Sequence, residues 1–331
     1  MPVRVGVIGC EPGTHYSAYL AAATQSPDVQ LVAVSLRPEL EDPVRAQLEP
    51  FGVPVYRDAA TLLDAAQPDV LALSTVPSEQ ARWLFEGLRR GMHVVADKPL
   101  VTDDADLPRV RAALAAAPTL HLSMLMTVRG EPVRQAARQA VRDGQLGTLA
   151  VLHTRRAYAQ RRPSRAPWFF DEALSGGPWA DGAIHGIDEV RWITGLEVQE
   201  VVAYDANVSS PREPRFYDHG QALFRMGHGI AAIVEHHRQS INDSWLSILG
   251  TAGKNEIDRR NQGVFVDAAG ERPLSEVVAF PPARNVFADF CESLVAGRPA
   301  LVDTEDTLAT MEAVFAVRKA ARTGQTVRLG A

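Results

Sequence analysis

A lysine at the end of an apolar run, and a histidine four residues after an aspartate, are the side chains of this sequence best suited to chemistry. The first stands in His93-Val94-Val95-Ala96-Asp97-Lys98-Pro99, the second in Asp181-Gly182-Ala183-Ile184-His185-Gly186-Ile187-Asp188. The apolar run reads as a buried strand presenting Lys98, with Pro99 ending the strand and fixing the local backbone. The second segment reads as a helix start, where the spacing i, i+4, i+7 puts Asp181, His185 and Asp188 on one face. A lysine, a histidine and a carboxylate suffice to move a proton while a hydride moves elsewhere. Each also has an ordinary alternative: a solvated strand-end lysine, a packed histidine, an N-cap aspartate. As a metal site the helix face would offer two carboxylates and one imidazole, a thin ligand set, so no metal is expected.

Strands and helices alternate in the part of the chain that must position Lys98. Val3 to Ile8 is a β-branched run, followed by the loop Gly9-Cys10-Glu11-Pro12-Gly13, a helical pattern from His15 to Thr24 and the apolar run Leu31 to Val34. The unit recurs as strand 53–56, helix 59–66, strand 70–74, helix 78–90, strand 93–96, helix 104–116 and strand 120–126. Apolar strands separated by helices predict a doubly wound parallel sheet. Ligands of such sheets sit beyond the carboxyl ends of the strands, which directs Lys98 toward the crevice.

The pattern changes near Arg129. A helix over 132–143, a strand over 148–157, a helix over 180–194, strands over 198–204, 218–226, 229–238 and 245–250, and a last helix over 304–321 predict an α+β domain with a largely antiparallel sheet. Two domains are therefore expected, 1–125 and 126–331.

The turn after the first strand departs from the G-x-G-x-x-G that a dinucleotide fold prefers. Gly9 fits the first position, Glu11 and Thr14 occupy the other two, and Gly13 is displaced by one. A carboxylate at Glu11 would repel a diphosphate unless it points away. The second strand ends Val34-Ser35-Leu36-Arg37, without the acidic residue that binds a ribose 2′-hydroxyl. Serine with a nearby arginine suits a 2′-phosphate, so NADP is favoured over NAD.

Composition excludes several classes. The chain has 331 residues, 46% hydrophobic and 22% charged, with formal net charge -6, so no global basic field favours nucleic acid or an anionic membrane. The two cysteines, Cys10 and Cys291, make neither a metal spacing nor a disulfide framework. With no secretory h-region and no apolar span, a cytoplasmic location is expected.

With these residues in place, the chain resembles the Gfo/Idh/MocA family (glucose–fructose oxidoreductase, inositol dehydrogenase, MocA) over nearly its whole length. Asp97-Lys98-Pro99 is similar to the family's E-K-P, and Asp181 through Asp188 to its D-x-G-x-H-x-x-D, with the glycine at 182 and Ala183 in its usual place. Trp168, Gly176-Gly177, Arg191-Trp192, Gly250-Thr251-Ala252-Gly253 and Gly324-Gln325-Thr326-Val327 are further landmarks. The resemblance implies an N-terminal Rossmann domain that binds NAD(P), and a C-terminal α+β domain whose open sheet forms a homodimer or homotetramer. It implies oxidation or reduction of sugars, polyols and related compounds.

By matching position, Lys98, Asp181 and His185 are the catalytic candidates. His185 would take the substrate hydroxyl proton, Lys98 would stabilise the developing alkoxide and Asp181 would orient the group beside it, with the first two roles exchangeable. Cofactor contacts carry over to Gly9, Cys10, Glu11 and Pro12, to Ser35 and Arg37 at the ribose, to Thr75, Val76 and Pro77, and to Asp97 and Lys98 near the nicotinamide. Arg129 and Trp168 join Asp181 and His185 as substrate contacts. Gln80, Thr127 and Gly130 stand where the family often has histidine, asparagine and an aromatic, which points away from its simplest sugars.

Two alternatives share this scaffold: NAD-assisted glycoside cleavage, and a sugar-sensing or partner protein that has lost nucleotide binding. Arg155, Arg156, Arg161, Arg162 and Arg165 cluster before Trp168, as a clamp for a substrate anion or as a solvated loop. His236 and His237 should point to opposite faces of a strand, with a structural role for both.

Overall fold

The computed structural model describes residues 1–238 and 241–330. In chain order its elements begin β1 (Val3–Gly9), α1 (Tyr16–Gln25), β2 (Val29–Ser35), α2 (Glu41–Leu48), β3 (Val55–Tyr56), α3 (Ala59–Ala66), β4 (Val70–Ser74), α4 (Pro77–Arg89), β5 (His93–Ala96), α5 (Asp106–Ala116) and β6 (Leu122–Met124). They continue α6 (Pro132–Arg142), β7 (Leu149–Ala157), α7 (Glu172–Ser175), α8 (Ile184–Thr194), β8 (Val198–Ala206), β9 (His219–Met226), β10 (Ala231–His237), β11 (Trp245–Gly250), β12 (Lys254–Ile257), β13 (Gly263–Asp267), β14 (Gly270–Pro273), α9 (Val286–Ala296), α10 (Thr304–Thr323) and β15 (Val327–Arg328). The chain divides into two compact units. One holds residues 1–125, 173–176 and 285–308; the other holds 126–172, 177–284 and 309–331.

The first unit is the doubly wound sheet, with six parallel strands in the order β3-β2-β1-β4-β5-β6. Val70, Leu71, Ala72 and Leu73 are all fully buried, which is why β4 is a continuous apolar run rather than an alternating one. The strand order reverses between β1 and β4, the switch point at which such sheets bind ligands. Local signals set the helix starts: Asp58 accepts the Thr61 N–H at 2.7 Å to cap α3, and Pro77 opens α4.

Helices α2 and α9 lie outside the sequence expectation. Asn285 caps α9 by accepting from the Phe287 and Ala288 N–H groups, and its amide donates to the Ala18 carbonyl at 2.8 Å. Phe287 meets Tyr19 of α1 edge-on at 4.7 Å, so this late segment belongs to the first core.

The second unit is built on a nine-stranded sheet in the order β14-β13-β12-β11-β7-β10-β9-β8-β15. It is mostly antiparallel, as expected, with β7 and β10 forming a parallel pair. Strands β12 to β14 extend one edge beyond the sequence expectation. Along β9, Gly220, Ala222, Phe224 and Met226 are buried while Gln221, Leu223 and Arg225 are exposed, the period-two signature of a sheet covered on one face. No helix among the described residues is long and apolar enough to cross a membrane.

Candidate active site

In the first unit, β1 ends in a turn that hugs β4. Gly9 has φ +107°, and a Cβ there would fall 2.2 Å from the Ser74 carbonyl oxygen, so no side chain is tolerated. Cys10 also takes a positive φ, 97°. The N–H groups of Cys10 and Glu11 donate to that same carbonyl at 2.9 and 3.0 Å. The Thr14 hydroxyl donates to the Glu11 carbonyl at 2.7 Å and lies 2.6 Å from the Ser74 hydroxyl.

Glu11 is buried, and its carboxylate accepts from Nη2 and Nε of Arg37 at 2.5 and 2.8 Å. Burial raises the Glu11 carboxyl above its ordinary value, with Arg37 working against the rise. The two residues read separately from the sequence, a repulsive carboxylate and a phosphate-binding arginine, are thus one ion pair. With the carboxylate held by Arg37 and the backbone close to β4, the turn fits a dinucleotide in spite of its missing glycines.

Lys98 follows β5 and is half-buried, and its peptide bond to Pro99 is cis. The turn is braced from two sides. Asp97, 3% exposed, accepts the N–H of His15 at 2.5 Å, contacts the His15 ring at 2.9 Å, and accepts the N–H of Lys98 at 2.7 Å. Burial would raise the Asp97 carboxyl, but His15 and Lys98 outweigh it and hold it below the ordinary carboxylate value. On the other side Gln80, fully buried, donates from Nε2 to the Pro99 carbonyl at 2.8 Å. The residue standing in place of a common histidine is therefore part of the lysine's support. Ser35, Thr75 and Val76 are buried, Pro77 is the first residue of α4, and Pro12 is exposed.

In the second unit the expected helix 180–194 opens differently: Trp179–Ala183 is a π turn, and α8 starts at Ile184. Asp181 lies inside that turn and its carboxylate pairs with Arg238, which is buried. Burial pulls the Arg238 guanidinium down to about 10, which still leaves it charged at neutral pH. His185 is the second residue of α8 and is 6% exposed.

Asp188, expected on a shared face with Asp181 and His185, is engaged elsewhere. It receives Nη2 and Nε of Arg129 at 2.6 and 2.8 Å and the Thr310 hydroxyl at 3.0 Å. Arg129, expected at the substrate, is 1% exposed and directs Nε and Nη2 at Asp188, a contact that braces α8. Trp168 is half-buried in the 3₁₀ turn Pro167–Phe170, its ring 6.3 Å from Phe169, and its indole Nε1 has no hydrogen-bond partner among the described residues. His236 is buried edge-on to Trp179 at 4.4 Å, and burial drives its pKa to about 3, in keeping with a structural role. His15 and Arg238 were not singled out by sequence reasoning.

A doubly wound sheet whose first strand ends in a close turn is the architecture of a dinucleotide-binding domain. Comparison with known proteins agrees. Residues 3–124 match the oxidoreductase family with an NAD-binding Rossmann fold, and residues 134–256 match the GFO/IDH/MocA C-terminal domain. The chain belongs to the Gfo/Idh/MocA family of oxidoreductases. It is 25% identical to a myo-inositol 2-dehydrogenase of Thermotoga maritima over 99% of this chain and 98% of that protein. Its fold is that of an aldose-aldose oxidoreductase from Caulobacter crescentus in complex with glycerol (TM-score 0.85, 23% identity, 99% and 100% of the chains covered). A myo-inositol 2-dehydrogenase from Lactobacillus plantarum shares it too (TM-score 0.80, 18% identity, 100% of each chain).

Proposed function

We propose that this protein interconverts a CH–OH group and a carbonyl on a polyol, sugar or sugar acid, with NAD as redox partner. The observation carrying the reading is the braced Lys98: a buried carboxylate and a buried amide are spent on fixing one turn, which a scaffold that only binds sugar would not need. The bound nicotinamide supplies the hydride acceptor. His185 takes the hydroxyl proton on an imidazole nitrogen. The Lys98 ammonium steadies the oxygen as negative charge develops, and Asp181, itself held by Arg238, orients its neighbour. Gly9, Cys10, Glu11, Pro12, Thr75, Val76 and Pro77 would hold the dinucleotide, with Ser35 and Arg37 at its ribose.

The Glu11–Arg37 pair supports NAD, where Ser35 and Arg37 read from the sequence favoured NADP. A 2′-phosphate brought to Arg37 would meet the Glu11 carboxylate, whereas a ribose hydroxyl can donate to it. Titration of cofactor-stripped protein with NADH and NADPH, followed by cofactor fluorescence and thermal midpoint, should favour NADH. Glu11→Gln should shift the ratio of the two dissociation constants toward NADPH by about tenfold, roughly 1.4 kcal/mol. Binding of neither cofactor would remove the assignment and leave the sensor reading.

Assembly through the open face of the second sheet belongs to the same proposal. Val202 pairs with Leu223 and Leu223 with Ile233, so the exposed Val202 and Leu223 form an apolar row across β8 and β9 that is continuous with Ile233. Light scattering should report a dimer or tetramer, and Leu223→Glu should give monomer with its helical signal intact. A monomeric parent protein would refute this part.

A further inference from the structure

The second unit contains a cavity of about 370 Å³ whose wall carries five arginines, Arg134, Arg156, Arg161, Arg165 and Arg259, and a single carboxylate, Glu131. Ligand pockets begin at roughly this size. Two of the arginines are held by a carboxylate outside the lining: Glu189 pairs with Arg134 and accepts from Nη2 of Arg156 at 2.7 Å. Arg161, Arg165 and Arg259 pair with no carboxylate among the described residues.

Arg165 is half-buried over the Phe169 ring at 4.3 Å, and burial together with the charge of Arg161 lowers its pKa. Arg156 is 3% exposed, and its Nε has no hydrogen-bond partner among the described residues. A buried donor left unmade is expensive, and a chain of net charge -6 has carboxylates to spare for unpaired guanidiniums.

Its place in the fold ties it to the segment carrying Asp181 and His185. Tyr158, part of the wall, lies against Gly182: a Cβ there would come within 3.1 Å of its ring and 2.4 Å of Arg238 Nη2. Arg238 stacks on the Tyr158 ring at 4.9 Å while pairing with Asp181. Arg156 passes under Gly186, its Cγ 3.3 Å from where a Cβ would sit. The two glycines that flank His185 and follow Asp181 are where this wall closes on the helix.

We propose that this cavity binds an anionic group of the substrate, a carboxylate or a phosphate, so that the compound acted on is a sugar or polyol acid or phosphate ester rather than a neutral sugar. The planar fork of arginine matches both groups. The inference rests on the dehydrogenase reading above, and its test separates the two.

Thermal midpoint and equilibrium binding are measured with inorganic phosphate and with D-gluconate, at fixed ionic strength set by chloride. NAD-dependent turnover is measured with myo-inositol, D-gluconate and D-glucose 6-phosphate. One probe anion should raise the midpoint, and the charged substrate of the same kind should exceed myo-inositol in kcat/KM. Which anion does so tells carboxylate from phosphate. Arg165→Ala and Arg259→Ala should raise KM for that substrate by about 10- to 100-fold with little change in kcat, and Arg165→Lys should recover part of it.

Anion binding abolished by Arg165→Ala, without turnover of any substrate, would keep the anion site and sink the dehydrogenase reading. Turnover of myo-inositol alone, with no midpoint shift from either anion, would overturn the anion site and keep the dehydrogenase. A shift matched by chloride would also overturn it.

Discussion

Lys98→Ala and His185→Ala are each expected to lower kcat by about 10²- to 10⁴-fold, the range a positioned proton-transfer group contributes. Cofactor should still bind, because neither side chain forms the turn after β1. Lys98 is half-buried and its turn is fixed by Asp97 and Gln80 through backbone groups, so truncating the side chain leaves the brace in place. His185 is 6% exposed, and alanine there opens a small cavity. His185→Gln, which fills the site but cannot take the proton at neutral pH, separates chemistry from packing. Steady-state kinetics with parallel NADH titration checks the prediction. Turnover near wild type in both Lys98→Ala and His185→Gln would remove the catalytic assignment.

What the sequence revealed follows from the range over which the physics acts. The first unit was legible because β4 and most of β5 are buried on both faces and so nearly continuous in apolar residues; both fall where the pattern placed them. β12 and β14 were not legible. Lys254–Ile257 and Gly270–Pro273 are four residues each, rich in charge and lying toward a sheet edge, so they carry little apolar signal. α9 does carry local signals in the sequence, an Asn285 cap and Gly297 at φ +62° after its last turn. α2, Glu41–Leu48, has a proline and three charged residues in eight, which masks a helical period.

The site divides the same way. Lys98, Asp181 and His185 were visible because local spacing and a family motif mark them. Their partners were not: His15 lies 82 residues from Asp97 and Arg238 57 residues from Asp181, separations that only tertiary packing closes. Asp188 shows the limit of helical spacing. Three residues beyond His185, it shares a face on a helical wheel with Asp181, yet the π turn breaks that register and Arg129, 59 residues away, claims its carboxylate. Glu11 and Arg37 were each noted, but that they cancel one another is a fact of geometry alone.

Glu189→Gln is expected to be the most destabilising single change in the second unit. Glu189 is 1% exposed and faces two guanidiniums that are themselves buried, Arg134 at 2% and Arg156 at 3%. It also accepts the Thr154 hydroxyl at 2.8 Å, so α6, α8 and β7 meet on one carboxylate. Removing its charge leaves two buried cations opposed, among the described residues, by Glu131 alone, a loss of about 3–5 kcal/mol for a buried pair broken on one side. At roughly 2–4 °C per kcal/mol, the thermal midpoint should fall by about 10 °C. Burial alone would raise the Glu189 carboxyl, but Arg134 and Arg156 outweigh it and its value lies below the ordinary 4.5. A depressed carboxyl contributes stability above its unfolded value and loses it as pH falls through the folded one. The gap between wild type and Glu189→Gln should therefore be full at neutral pH and narrow only below about pH 4.5. Thermal melts from pH 7 to pH 3 check both the size and the window. An unchanged midpoint at pH 7, or a gap that widens in acid, would show that the two guanidiniums do not depend on this carboxylate. Arg156 lines the cavity proposed to hold an anion. The same melts with and without phosphate then test whether a bound anion makes up part of the missing charge.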